Sequence, residues 1–119
     1  MNRHRRLRTW QSARELVRLI YKVTEALPVE EKYVASAQLR RAAWSVVNNI
    51  AEGNGKLGRA EMRRFFDTAL GSLAEIDSML ATLAHLYPLE SNITTGFEQL
   101  RRDINRGVFT MLKQSRKGP

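Results

Sequence analysis

Two carboxylates and two serines dominate the chemistry available to this chain. Glu52, Glu75, Ser45 and Ser72 fall between positions 38 and 75, together with Asn48 and Asn49. Carboxylates facing one another across a helical hairpin can act as an acid and base pair. The same groups can instead hydrogen-bond helix ends and neighbouring polar side chains, and their spacing favours that second role. Ser45, Asn49, Glu52, Ser72 and Glu75 are therefore expected to form a structural polar network. A serine nucleophile needs a base, and the two histidines, His4 and His85, are remote in sequence. The Glu-x-x-His pattern of di-metal helical bundles is missing, because Ser78 stands three residues after Glu75. There are no cysteines, which excludes disulfides, thiolate metal sites and cysteine nucleophiles. The expectation is a protein with no catalytic residues, no metal and no cofactor.

Arginine is the other chemically active residue. The formal net charge is +8 and the sequence pI about 10.6, a balance that favours polyanionic partners. The arginines recur as adjacent pairs: Arg5-Arg6, Arg40-Arg41, Arg63-Arg64 and Arg101-Arg102. Neighbours on a helix point about 100° apart, so one member of each pair serves any one partner. Arg3, Arg5, Arg6, Arg8, Arg40, Arg41, Lys56, Arg59, Arg63 and Arg64 are the candidate contacts to RNA or DNA. Phosphate contacts of this kind position a nucleic acid without reading its sequence. Arg64 with Asp67 and Glu98 with Arg102 stand at helical spacing for surface ion pairs.

Four helices are needed to position these groups. The first is expected over 9–26, with Thr9 as N-cap and Trp10, Ala13, Val17, Ile20, Thr24 and Leu27 inward, stopped by Pro28. The second is expected over 29–52, with Glu30 and Glu31 in its first turn and Gly53 as a left-handed cap. Gly53, Gly55 and Gly58 lack the spacing of a phosphate-binding loop. The third is expected over 60–86, with Phe66, Ala69, Leu73, Ile76, Leu80, Leu83 and Tyr87 inward. Gly71 lies inside it, marking either a close helix approach or a tolerated irregularity. The last is expected over 95–114, with Phe97, Leu100, Ile104, Val108 and Met111 inward. Residues 1–8 form a basic arm and 115–119 a loose tail. The fold class is all-α, an antiparallel up-down-up-down four-helix bundle.

The second helix carries more apolar surface than a monomer requires. Leu39, Ala42, Ala43, Val46 and Ile50 make one stripe; Tyr33, Ala37, Trp44, Val47 and Ala51 make a second beside it. The second stripe is the candidate oligomer interface. No run approaches the ~18 apolar residues of a membrane span. The basic start MNRHRRLRTW lacks the apolar stretch of a signal peptide. A cytoplasmic protein without membrane contact is expected.

The segment QLRRAAWSVVNNIAEGNGK, followed by FFDTALGSLAE, resembles the four-helix bundle proteins encoded in intervening sequences of bacterial large-subunit ribosomal RNA genes. NIAEG at 49–53 and the pattern Ala69-x-Gly71-Ser72-x-x-Glu75 carry the likeness, which spans nearly the whole chain. Met62 stands where many members have phenylalanine, and the arginines of residues 3–8 have no counterpart in the family pattern. The accessory variability determinants of diversity-generating retroelements look similar. The resemblance implies a bundle assembled as a homo-oligomeric ring, typically a homopentamer. For the retroelement relatives it implies nucleic-acid binding through basic surfaces and association with a reverse transcriptase; for the ribosomal-insert members it implies little about activity. The expected function is non-enzymatic binding of RNA or DNA by a ring, as accessory to a nucleic-acid enzyme. A protein–protein scaffold with no nucleic-acid role is the alternative.

Overall fold

The structure is a computed structural model of the chain and describes residues 7–115. The described residues form four α-helices and no strand: α1 Arg8–Ala26, α2 Ala35–Asn54, α3 Arg59–Leu86 and α4 Ser91–Ser115. Most of the arm expected over 1–8, and all but the first residue of the tail expected over 115–119, lie outside this span. Leu7 and Arg8 do not: Leu7 is extended and Arg8 already helical.

Two prolines set helix ends as their chemistry requires. Leu27, before Pro28, and Tyr87, before Pro88, are both extended and cap α1 and α3. After Pro28 the chain makes a short 3-10 turn, Val29–Glu31. It does not run straight into the second helix, because Val34 takes φ −113°, ψ −92° and α2 begins only at Ala35. Glu30 and Glu31 therefore sit in the separate turn and not at the α2 N-terminus. Glu31 is held there by Tyr87, whose hydroxyl donates to its Oε2 at 2.7 Å. Thr9 is not an N-cap. It lies within the first turn of α1, buried, and Leu7 is the capping residue without a side-chain bond.

The helices pack in a circuit: α1 on α2, α2 on α3, α3 on α4 and α4 back on α1. The α2–α3 contact is the most extensive. The core is one cluster drawn from every helix, with Leu16, Ile20, Leu39, Val46, Ile50, Phe66, Leu73, Ile76, Ile104 and Val108 fully enclosed. Each such side chain contributes about 1.5–3 kcal/mol by leaving water. All six residues expected inward on α3 from Phe66 to Leu83 are buried; Tyr87 is half-buried. On α1 the buried face is turned from the expected stripe. Leu16 and Val23 join Ala13 and Ile20 in the core, while Trp10 and Val17 are left at its edge. On α4, Leu100 and Met111 are edge residues, and the helix starts four residues earlier than the 95–114 span.

Two glycines mark tight helix approaches, and neither is Gly71. A methyl group added at Gly53 would stand 2.5 Å from Phe66 Cε1, so α3 lies too close for any side chain there. Gly53 is inside α2 and no glycine among the described residues has a positive φ. Its role is close packing, not a left-handed cap. A methyl group added at Gly107 would overlap the Thr9 side chain, which places α1 directly on α4. At Gly71 the same methyl would meet nothing within 4 Å.

Candidate nucleic-acid interface and assembly groove

Ser45 and Ser72 meet across the α2–α3 contact. Ser72 Oγ donates to Ser45 Oγ at 2.8 Å, and Asn49 Nδ2 donates to Ser45 O at 2.8 Å and Oγ at 3.2 Å. These three form a polar seam within the α2–α3 contact. Glu75 is bound farther along the same helix pair, accepting from Gln38 Nε2 at 2.7 Å. Glu52 lies 14 residues along α2 from Gln38, about 21 Å at 1.5 Å per residue, and faces a groove shared with Trp10 and Arg14. The carboxylates thus do not approach one another, and the expected five-residue network divides. The register explains this: Gln38 meets Glu75 and Gly53 meets Phe66, so residue numbers on the two helices run in opposite senses.

The second apolar stripe of α2 also divides. Tyr33 lies outside the helix, 84% exposed, beside Ala37, Thr24 and Arg40 in a groove of about 480 Å³. Val47 is 5% exposed and already belongs to the core. What remains is an apolar groove of about 830 Å³ between α1 and α2, lined by Trp10, Val17, Tyr21, Trp44, Val47 and Ala51, with Arg14, Arg18, Asn48 and Glu52 on its margins. Trp44 is 49% exposed there, although its Nε1 donates to Tyr21 OH at 3.1 Å. Arg14 lies over the Trp10 ring at 5.1 Å.

The candidate cations differ in how far they are engaged. Arg40 Nε donates to Thr24 Oγ1 at 2.9 Å and its guanidinium stacks over Tyr21 at 4.1 Å. Arg64 grips both oxygens of Glu61 at 3.2 Å. That bond holds the Glu61 carboxyl below its ordinary value and the Arg64 guanidinium above it. Arg64 and Lys56 both lie over the Phe65 ring, at 4.6 and 4.9 Å. Arg59 Nε donates to Leu112 O at 3.4 Å, tying α3 to the end of α4. Arg63 faces Asp67 at 3.8 Å. The ion pairs expected as Arg64–Asp67 and Glu98–Arg102 are instead Arg63–Asp67, Arg64–Glu61 and Arg101–Glu98. The guanidinium finds the carboxylate within its own rotamer reach. Arg8 and Arg41 are exposed. Arg3, Arg5 and Arg6 lie outside the described residues.

Charge is unevenly placed along the chain. Residues 7–115 hold fifteen of the 20 Lys and Arg but all 12 Asp and Glu, a net of +3. The other five cations are Arg3, Arg5, Arg6, Arg116 and Lys117. Both flanking segments join the bundle at one end, because Thr9 packs against Gly107 and Arg59 reaches Leu112. The turn with Lys56 is at that end too. The opposite end carries Glu25, Glu30, Glu31 and Glu90.

A further exposed pattern cuts across the arginine pairs. Arg102, Arg106, Phe109 and Lys113 recur at 4-3-4 spacing on α4, all exposed. That spacing signals a single helix face, and it was visible in the sequence.

The 23S rRNA-intervening sequence protein family matches residues 5–109. The chain belongs to this family. No curated protein gives a significant match. The match takes in all of α1, α2 and α3 and most of α4, and so covers both the polar seam and the α1–α2 groove. No helix among the described residues is long and apolar enough to cross a membrane, and no group of His, Asp and Glu among them could hold a metal ion.

Proposed function

We propose that this family member is a non-enzymatic, self-associating RNA-binding protein of the cytoplasm. Its helices run up-down-up-down, a reading supported by Thr24 meeting Arg40, Ser45 meeting Ser72 and Thr9 meeting Gly107. Copies assemble into a closed ring through the α1–α2 groove, the homopentamer that the family resemblance implies. The half-exposed Trp44 in that open groove is the observation that carries this reading. A monomer leaves such a side chain wet, whereas a second copy would bury it at the centre of an interface, where tryptophan contributes most. RNA is the partner that both the family's description and the +8 charge support. A ring multiplies each cation by the number of copies, and affinity for phosphate backbones grows with the number of contacts. A nucleic-acid enzyme, such as a reverse transcriptase, would be the ring's client.

The alternative is a scaffold without RNA. It is favoured by the engagement of Arg40, Arg64 and Arg101 within the chain. Binding of a generic RNA and a generic DNA duplex at low and high salt separates the two, since a scaffold binds neither. For assembly, sedimentation should give a multiple of the chain mass, and Trp44→Glu should reduce it to a single chain. A wild-type mass of one chain would contradict self-association.

A further inference from the structure

We propose that the outer face of α4 is a docking surface for single-stranded RNA, with one unpaired base stacked on Phe109 and phosphates held by Arg102, Arg106 and Lys113. This rests on the RNA-binding reading above and names its site. At 100° per residue the four side chains fall within an arc of about 60°, and from first to last they span about 16 Å of helix. All four are exposed, and Phe109 is 62% exposed. An aromatic this open on a helix surface is uncompensated in water. The contrast with Phe65 is informative: that ring is covered by Lys56 and Arg64, whereas no cation among the described residues lies over Phe109.

The charges around Phe109 are suited to an anion. Arg106 and Lys113 have no side-chain partner among the described residues, and Arg102 makes only a 3.4 Å bond to the neutral Gln99. From residue 102 onward the one acidic residue is Asp103. It takes a bond from Gln99 at 3.1 Å. Arg59, bound to Leu112 O, extends the positive surface onto α3.

Aromatic rings interleaved with cations are the pattern by which proteins hold single strands, because every base has a face that stacks. A duplex is a poorer fit, since its bases are already stacked on one another and the A-form major groove is too deep and narrow for side chains to read. An anionic membrane is also a poorer fit, because surface insertion needs an extended apolar face and this arc offers one ring between three cations. The face lies on α4, away from the α1–α2 groove, and a ring in which it stays open would repeat it once per copy.

The test is binding of a labelled oligouridine to the full chain, followed by anisotropy between about 50 and 200 mM salt. Three variants are compared: Phe109→Ala, the triple Arg102→Gln/Arg106→Gln/Lys113→Gln, and a control, Lys22→Gln, that removes an exposed cation from α1. Phe109→Ala should weaken binding roughly five- to a hundredfold with the salt slope unchanged. The triple variant should weaken it more and reduce the slope by about 2. The control should leave affinity within a factor of about three. Far-UV circular dichroism should be unaltered, since none of these side chains enters the core. Wild type failing to bind at low salt would overturn the RNA-binding reading together with this site. Wild type binding while the α4 variants bind equally well would overturn the site alone. So would a Phe109→Ala change in sedimentation mass without a change in RNA affinity, which would make the face a subunit contact. Tight binding to phosphatidylserine vesicles with none to oligouridine would also overturn it.

Discussion

Replacing each of two helix glycines by alanine should change stability by different amounts, and the structure gives the size of the difference. Gly71 and Gly107 both lie inside helices, so each Gly→Ala substitution gains the same intrinsic preference, about 1 kcal/mol. At Gly71 the new methyl group meets open space, so the gain should appear in full. At Gly107 the methyl group would overlap Thr9 Oγ1 and crowd its Cβ at 2.8 Å and Cγ2 at 2.9 Å. Thr9 is buried and branched at Cβ, so it cannot swing clear, and α1 must move off α4. Overpacking of this kind costs about 1–3 kcal/mol. The propensity term cancels between the two variants, leaving Gly107→Ala less stable than Gly71→Ala by about 1–3 kcal/mol. At roughly 4 °C per kcal/mol for a chain of this length, their thermal midpoints should differ by about 4–12 °C, measured at one protein concentration. Adding Thr9→Ala to Gly107→Ala should recover part of the loss, because two of the three crowded atoms are removed. A Gly107→Ala protein as stable as Gly71→Ala would refute the close α1–α4 approach.

The polar seam should behave as a matched pair. Ser45→Ala or Ser72→Ala alone should cost about 1 kcal/mol in urea denaturation, whereas the double variant should cost less than the sum of the two. Two effects of pH follow from side-chain hydrogen bonds to carboxylates. Tyr87 is held above its ordinary value, first by its bond to Glu31, then by burial and the Glu31 charge. A raised value stabilises the fold below the unfolded tyrosine value and is lost as pH rises through the folded one. Tyr87→Phe should therefore lose less stability than wild type in strong alkali. Glu61 and Glu98 are held low by their bonds to Arg64 and Arg101. Their contribution is present above the ordinary carboxylate value and lost as acid protonates them. Glu61→Gln/Glu98→Gln should flatten the acid side of the thermal-midpoint profile; an unchanged profile would mean that water screens both pairs completely.

The core of this fold was legible where one apolar stripe has no competitor. Phe66 to Leu83 on α3 has a single 3-4 stripe, and every residue of it is buried. On α1 two apolar stripes run side by side, through Trp10 and Val17 and through Leu16 and Val23. Periodicity cannot choose between them, because the choice depends on where α4 docks through Gly107. The break at Val34 was hidden for a similar reason: local sequence favours a helix on both sides of it, and the 3-10 turn is fixed by Pro28 and by a bond from Tyr87, 56 residues away. Ser45 and Ser72 were recognisable as a polar pair, but separating them from Glu52 and Glu75 required the register of α2 against α3. The α4 face was readable from Arg102, Arg106, Phe109 and Lys113. The adjacent arginine pair cuts across it, since Arg101 pairs with Glu98 and only Arg102 belongs to the stripe.

The dependence of RNA affinity on salt tests the central claim most directly. With Arg102, Arg106 and Lys113 meeting phosphates, the logarithm of the affinity of wild-type protein for oligouridine should fall linearly with the logarithm of salt, with a slope of about −2. A slope near zero, or no binding at low salt, would contradict an RNA-binding role and leave a bundle whose positive charge has no nucleic-acid partner.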